Sequence, residues 1–202
     1  MLLDENAARH VLSATADLLE DMGLTYWIDS GTLLSAYRDR AFNVYDHDID
    51  VRLLLDEVSD EPELVKRLWE AGYRSIANLQ QRRAQILAGH PMGTGVLLDL
   101  KFCERDSEHL WYYCWREPDP TPCIHLYPVK FWDSLTTIKL YGRDYPCPSP
   151  IKDYIEFHYG KDWREFKVRV EDADETDLSW DYMKDPPCAY SLSDFIALKS
   201  SR

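Results

Sequence analysis

The chain has 202 residues, 45% apolar and 13% aromatic, enough for one large domain or two small ones and too apolar for global disorder. Its 36 acidic residues against 23 Lys and Arg give a formal net charge of −13. That argues against nucleic acid as the main partner, because such affinity comes largely from neutralising phosphates, but it is compatible with a nucleotide held through a metal ion.

Taken in chain order, Asp4 to Asp21 is expected to be a helix, with Ala8, Val11, Leu12, Thr15, Leu18 and Leu19 on one stripe, Asp4 as cap and Gly23 as stop. Leu24 to Ile28 is β-prone. Ser30-Gly31 is expected to be a turn, and Thr32 to Arg38 a short helix capped by Ser30 or Thr32. A loop over 39–45 leads to a strand from Asp48 to Leu55. Pro62 opens a helix carrying Leu64, Val65, Leu68 and Trp69, ended by Gly72. Strands are expected at 73–77, 84–88, 96–103, 110–115 and 124–127, then strands and turns to Pro150 and a helix from Pro150 to Tyr159. Glu171 to Asp177 reads as an acidic surface segment, followed by an irregular or helical tail.

This order implies an α/β or α+β fold with a mixed sheet flanked by helices. Residues 1–165 are expected to form the main domain and 166–202 a C-terminal appendage. The five cysteines (Cys103, Cys114, Cys123, Cys147 and Cys188) are odd in number and contain no Cys-x-x-Cys pair, so neither a zinc ribbon nor a full disulfide framework is supported. Neither a signal peptide nor a membrane-spanning run is evident, and a soluble cytoplasmic protein is the expectation.

Four stretches carry possible chemistry. Asp29-Ser30-Gly31-Thr32 joins a strand to a helix, where glycine permits close approach and helix N–H groups attract anions; an ordinary capped turn reads the same way. Asp46, Asp48 and Asp50 alternate in a strand-like run, so all three can share a face. Clustered carboxylates repel and raise one another's pKa unless a cation intervenes, and hard oxygen ligands suit Mg²⁺ or Mn²⁺. A solvated acidic loop is the plain alternative. A calcium loop of EF-hand type is disfavoured, because Val51 stands where that turn needs glycine. Asp99, set between Leu98 and Leu100, is costly in a core strand unless paired or metal-bound, and Lys101 shares its face; an exposed Asp99–Lys101 pair is the alternative. The proline-rich entry at 145–150 and the helix after it read as packing only.

Jointly, the glycine turn before a helix, Asp48 with Asp50 on one strand and Asp99 on another resemble the nucleotidyltransferase fold of polymerase-β type. More closely, the run Gly31 to Arg38, the run Asp46 to Val51, and Tyr145-Pro146 through Tyr159 to Trp163 look like the LicD family of bacterial phosphocholine transferases and fukutin-like proteins. The likeness runs from about Leu24 to Trp163, with a generic middle over 57–90.

The resemblance implies that Asp48 and Asp50 are the metal-binding pair, Asp99 the third carboxylate and Asp46 a second-rank ligand. Gly31 and Thr32 then face the donor's phosphates, Arg38 either touches phosphate or only pairs with an aspartate, Lys101 is a further basic partner, and His47 points away and packs. It implies a phosphotransferase using Mg²⁺ or Mn²⁺ to move phosphocholine or phosphoribitol from a CDP-activated donor (CDP-choline or CDP-ribitol type) to a hydroxyl of a glycan. Two other readings stay open: a nucleotidyltransferase moving NMP from an NTP, and a non-catalytic binding relative. The aromatic run Trp111 to Trp115 is either a platform for base, sugar or choline, or core.

Overall fold

A computed structural model of the protein describes residues 3–46, 48–77, 85–89, 95–115, 122–165 and 189–191, together with Ala197 and Ser200. The expectations for His47, Glu171 to Asp177 and most of the tail lie outside these residues, as do the side chains of Cys114, Trp115 and Cys123.

Helix α1 (Glu5–Asp21) starts where the Asp4 carboxylate accepts from the Ala7 N–H at 3.0 Å, and its buried stripe includes Val11, Leu12, Thr15 and Leu19, as the periodicity requires. Strand β1 (Tyr26–Ile28) leads into α2 (Ser30–Arg38), and β2 (Asp48–Leu54) follows a loop. Helix α3 (Glu61–Glu70) has Pro62 in its first turn and Asp60 capping the Glu63 N–H at 3.0 Å. Its Trp69 is an exposed ring with Arg74 stacked 4.2 Å away rather than a core contact.

Strands β3 (Arg74–Ala77), β4 (Gln85–Gly89), β5 (Leu97–Arg105), β6 (His109–Trp115) and β7 (Pro122–Pro128) come next. A separate hairpin of β8 (Thr136–Leu140) and β9 (Arg143–Cys147) precedes α4 (Ile151–Tyr159), which Gly160 ends in the left-handed region at φ 85°. The described part of the C-terminal segment includes β10 (Ala189–Ser191), which pairs antiparallel with β7.

The main sheet is mixed, in the order β1-β2-β5-β6-β7-β10, with β4 also on β5 and β3 on β4. The β2–β5 pair is parallel; the other pairings are antiparallel. Strand period 2 splits β2 and β5 into two faces. Ile49, Val51, Leu53, Leu98, Leu100 and Phe102 enter one hydrophobic cluster with the α1 stripe, each side chain contributing roughly 1.5–3 kcal/mol on burial. The opposite face carries Asp48, Asp50, Arg52, Asp99 and Lys101, and α2 and α4 reach it through Thr32 and Tyr154. No helix among the described residues is long and apolar enough to cross a membrane.

Two local expectations change. Helix α2 begins at Ser30, not Thr32, with Asp29 at its cap position and no side-chain cap bond. The polar side chains there are drawn inward: Asp29 to Arg52 and Tyr154, Ser30 to Arg52, and the Thr32 hydroxyl to the Asp50 N–H. Strand β2 begins at Asp48, so Asp46 does not share its alternation; it belongs to the preceding loop, its N–H donating to the Asn43 carbonyl at 3.1 Å.

Candidate metal centre

Parallel pairing of β2 with β5 sets Asp50 beside Asp99 and Arg52 beside Lys101. Asp48, Asp50 and Asp99 thereby offer carboxylate oxygens that all lie within 4.8 Å of one another. Asp50 and Asp99 are buried and Asp48 is half-buried at the solvent side. A solvated acidic loop is therefore not what the run forms.

The Asp99–Lys101 pair exists, with Nζ 2.7 Å from Oδ2, but on a buried carboxylate rather than an exposed face. Asp50 is held at both oxygens: Oδ1 accepts from Arg52 Nη2 at 3.2 Å and Oδ2 from the Thr32 N–H at 3.4 Å. Arg52 also faces Asp29 Oδ2 through Nε at 3.2 Å, and Asp29 Oδ1 accepts from the Tyr154 hydroxyl.

Asp29, Asp46, Asp48, Asp50 and Asp99 outnumber the cations Arg52 and Lys101 that meet them. The excess of negative charge shifts the carboxylates. Burial, then the charges of Asp46 and Asp99, pushes Asp48 up to about 7. Burial and Asp48 likewise push Asp50 upward, against the opposing pull of Arg52. A buried group of carboxylates with too little positive charge fits a hard divalent cation.

Gly31 stands where no other residue would fit unchanged: a Cβ there falls far inside contact distance of Asp46 Oδ2 and meets Asp50 Oδ2 at 3.5 Å. So Asp46, though off the strand, is gathered to the site against the α2 turn. Thr32 is buried and its hydroxyl accepts from the Asp50 N–H at 2.9 Å, which ties α2 to β2. Arg38 is not brought to the carboxylates by its helix. It lies about 10 Å along α2 from Gly31 and forks onto Asp39 with contacts of 2.7–3.0 Å.

Sequence reasoning missed Arg52, Tyr154 and His158, and named Asp29 only as part of the turn before α2. The signal for Arg52 is in the sequence: it continues the Asp48-Asp50 alternation two residues on. Tyr154 and His158 are one turn apart on α4 and both buried, so this helix does more than pack: it brings a hydroxyl to Asp29. Behind it the His158 ring, 2.7 Å from the Tyr127 hydroxyl, is kept neutral by burial, its pKa lowered to about 4. Tyr112 is buried beneath Arg52, 4.8 Å from the guanidinium to the ring centre, and hydrogen-bonds Tyr127 at 3.2 Å; this part of the aromatic run is core.

The family model described as "LicD/FKTN/FKRP, nucleotidyltransferase domain" matches residues 23–150. Mouse (Mus musculus) "Ribitol-5-phosphate transferase FKTN" is 27% identical over 183 residues, covering 89% of this chain and 36% of that protein. The Homo sapiens protein of the same name is 24% identical over 184 residues, with 90% and 36% covered. An uncharacterised protein of Rickettsia typhi is 30% identical over 153 residues, covering 73% of this chain and 45% of the other. The chain thus spans about a third of the length of its mammalian relatives. Among solved structures, the antibiotic-resistance factor ANT(2'')-Ia superimposes with a TM-score of 0.50 at 17% identity, covering 98% of this chain and 96% of that one, a likeness of fold.

Proposed function

Because the chain belongs to the LicD/FKTN/FKRP family, we propose that it is a metal-dependent phosphotransferase that moves a phospho-alcohol, of ribitol phosphate or phosphocholine type, from a CDP-activated donor to a hydroxyl of a glycan. The observation that carries this reading is the meeting of Asp48, Asp50 and Asp99 within 4.8 Å on the two parallel central strands, against the Gly31 turn. The donor type is suggested by the ribitol-5-phosphate transferases to which the chain is similar.

Asp48, Asp50 and Asp99 would hold Mg²⁺ or Mn²⁺, with Asp46 as an additional ligand or base. Such an ion, when bound, supplies the charge that offsets the diphosphate and its leaving group. The chain's own groups do the rest. Gly31 lets the Asp46 carboxylate close on the first turn of α2, and Lys101 adds positive charge beside Asp99. The acceptor oxygen forms a bond to the phosphorus carrying the alcohol, the bond from that phosphorus to the CMP oxygen breaks, and CMP leaves. The half-buried Asp46 takes the acceptor's proton, since Asp99 is deeper and already accepts from Lys101.

Incubation with CDP-ribitol or CDP-choline, Mg²⁺ and a glycan acceptor, followed by mass analysis, should show CMP and a phospho-alcohol adduct. A second reading, transfer of NMP from an NTP, uses the same carboxylates and accords with the nucleotidyltransferase domain named by the family model. An NMP adduct from CTP or ATP, with the CDP-alcohols inert, would replace the first reading by the second.

A further inference from the structure

Arg52 is the only fully buried Lys or Arg among the described residues. A buried guanidinium needs partners for all its N–H groups, and an ordinary core ion pair with Asp29 would satisfy few of them. Here the planar fork is shared instead. Nε faces Asp29 Oδ2 at 3.2 Å, Nη2 donates to Asp50 Oδ1 at 3.2 Å and to Ser30 Oγ at 2.8 Å, and Nη1 donates to the carbonyls of Val51 at 3.2 Å and Asp99 at 3.4 Å. One side chain therefore spans β2, β5 and the start of α2.

Two of these contacts bear on the carboxylates. With Oδ1 anchored by Arg52 and Oδ2 accepting from the Thr32 N–H, the Asp50 carboxylate is fixed from both ends. Ser30 has φ 45°, a left-handed backbone that a residue with a Cβ adopts at a cost and keeps only where its surroundings hold it. The bond from Arg52 to its hydroxyl is such a hold, and the next residue is Gly31, packed against Asp46 and Asp50.

We infer that Arg52 is a positioning residue of the metal centre: its fork holds Asp50 in a ligating orientation and Ser30 in the conformation that sets Gly31 and Thr32 against the carboxylates. This rests on the reading of Asp48, Asp50 and Asp99 as a divalent-cation site. It differs in sign from a simple counter-charge. Removing a positive charge beside a cation site tightens cation binding, whereas losing an outer-shell partner that orients a ligand weakens it.

Arg52→Lys separates the two, because lysine keeps the charge but not the planar fork. The probe is Mn²⁺ alone, with free ion counted by its electron paramagnetic resonance signal and folding followed by thermal melting of the full chain. Arg52→Lys is expected to melt cooperatively and bind Mn²⁺ about ten- to a hundredfold more weakly than wild type. Ser30→Ala, which leaves every charge in place, should weaken binding in the same direction by a smaller factor. A folded Arg52→Lys with wild-type or tighter binding overturns the inference. So does Ser30→Ala with wild-type binding, whether or not Arg52→Lys folds. Wild type without Mn²⁺ binding overturns the metal reading itself, and the inference with it.

Discussion

Asp50 and Asp99 are direct neighbours across the parallel pairing of β2 and β5, both buried, with Arg52 meeting the carboxylate of the first and the backbone carbonyl of the second. Pairing registers them so that neither can leave the other without breaking the sheet. The energetic consequence is a site that repels itself and is relieved by positive charge.

Asp50→Asn and Asp99→Asn should each lower turnover by at least about a hundredfold, equivalent to about 2.7 kcal/mol in the barrier. Asp48→Asn should do the same. It should also raise the melting temperature of the metal-free protein, since it removes a charge crowded by Asp46 and Asp99. Release of CMP from CDP-ribitol and a melting curve in chelator report the two effects; wild-type rates in any of these variants would remove it from the site.

Adding Mg²⁺ or Mn²⁺ to wild type should raise its melting temperature with ion concentration, and a chelator should reverse the gain, because a ligand that binds only the folded state stabilises it by mass action. Asp99→Asn should flatten that dependence. A wild-type melting point indifferent to both ions would contradict the metal centre.

Gly31→Ala should fold yet lose activity, by about tenfold or more if the turn shifts by an ångström. The added Cβ collides with the carboxylate of Asp46, the far end of a side chain on a loop that can move aside. Unchanged kcat/KM in this variant would mean that the close approach of turn and carboxylate has no role in transfer.

Tyr154→Phe should destabilise the protein by about 1–3 kcal/mol, because the buried Asp29 carboxylate loses the hydroxyl that donates to it. Urea denaturation measures this directly, and an unchanged midpoint would show that Arg52 alone satisfies Asp29.

His158 sets a pH dependence of definite sign. Burial lowers its pKa from 6.5 to about 4, so between those values the unfolded chain binds a proton that the folded one refuses. Stability from this residue is full above the unfolded value and is lost as pH falls through the window, by up to about 3 kcal/mol. The carboxylates raised by crowding act in the opposite sense there, so the comparison is wild type against His158→Gln: their difference in unfolding free energy should shrink as pH drops from 6.5 toward 4. A constant difference would refute it.

Much of this was legible from local pattern. The α1 stripe, the cap at Asp4, the first-turn Pro62 of α3 and the alternation of Asp48 with Asp50 depend on spacings of a few residues, and each is found as read. Strand β2 starts at Asp48 as read, but Asp46 lies in the loop before it and reaches the carboxylates from there, which alternation along the sequence does not show. The cap of α2 was misjudged because Ser30 and Thr32 carry good capping side chains, and nothing nearby in sequence shows that Arg52 and the Asp50 N–H claim them.

The sequence by itself determined which residue types could make the site and which face of each strand they share, since strand and helix periods are local geometry. Only the tertiary structure decided that β2 runs parallel beside β5, that Gly31 closes on Asp46, and that Arg52, Asp29 and Tyr154 form a buried frame behind the carboxylates. These contacts join residues far apart in the chain, and their partners are set by sheet register and burial, which no short window of sequence contains.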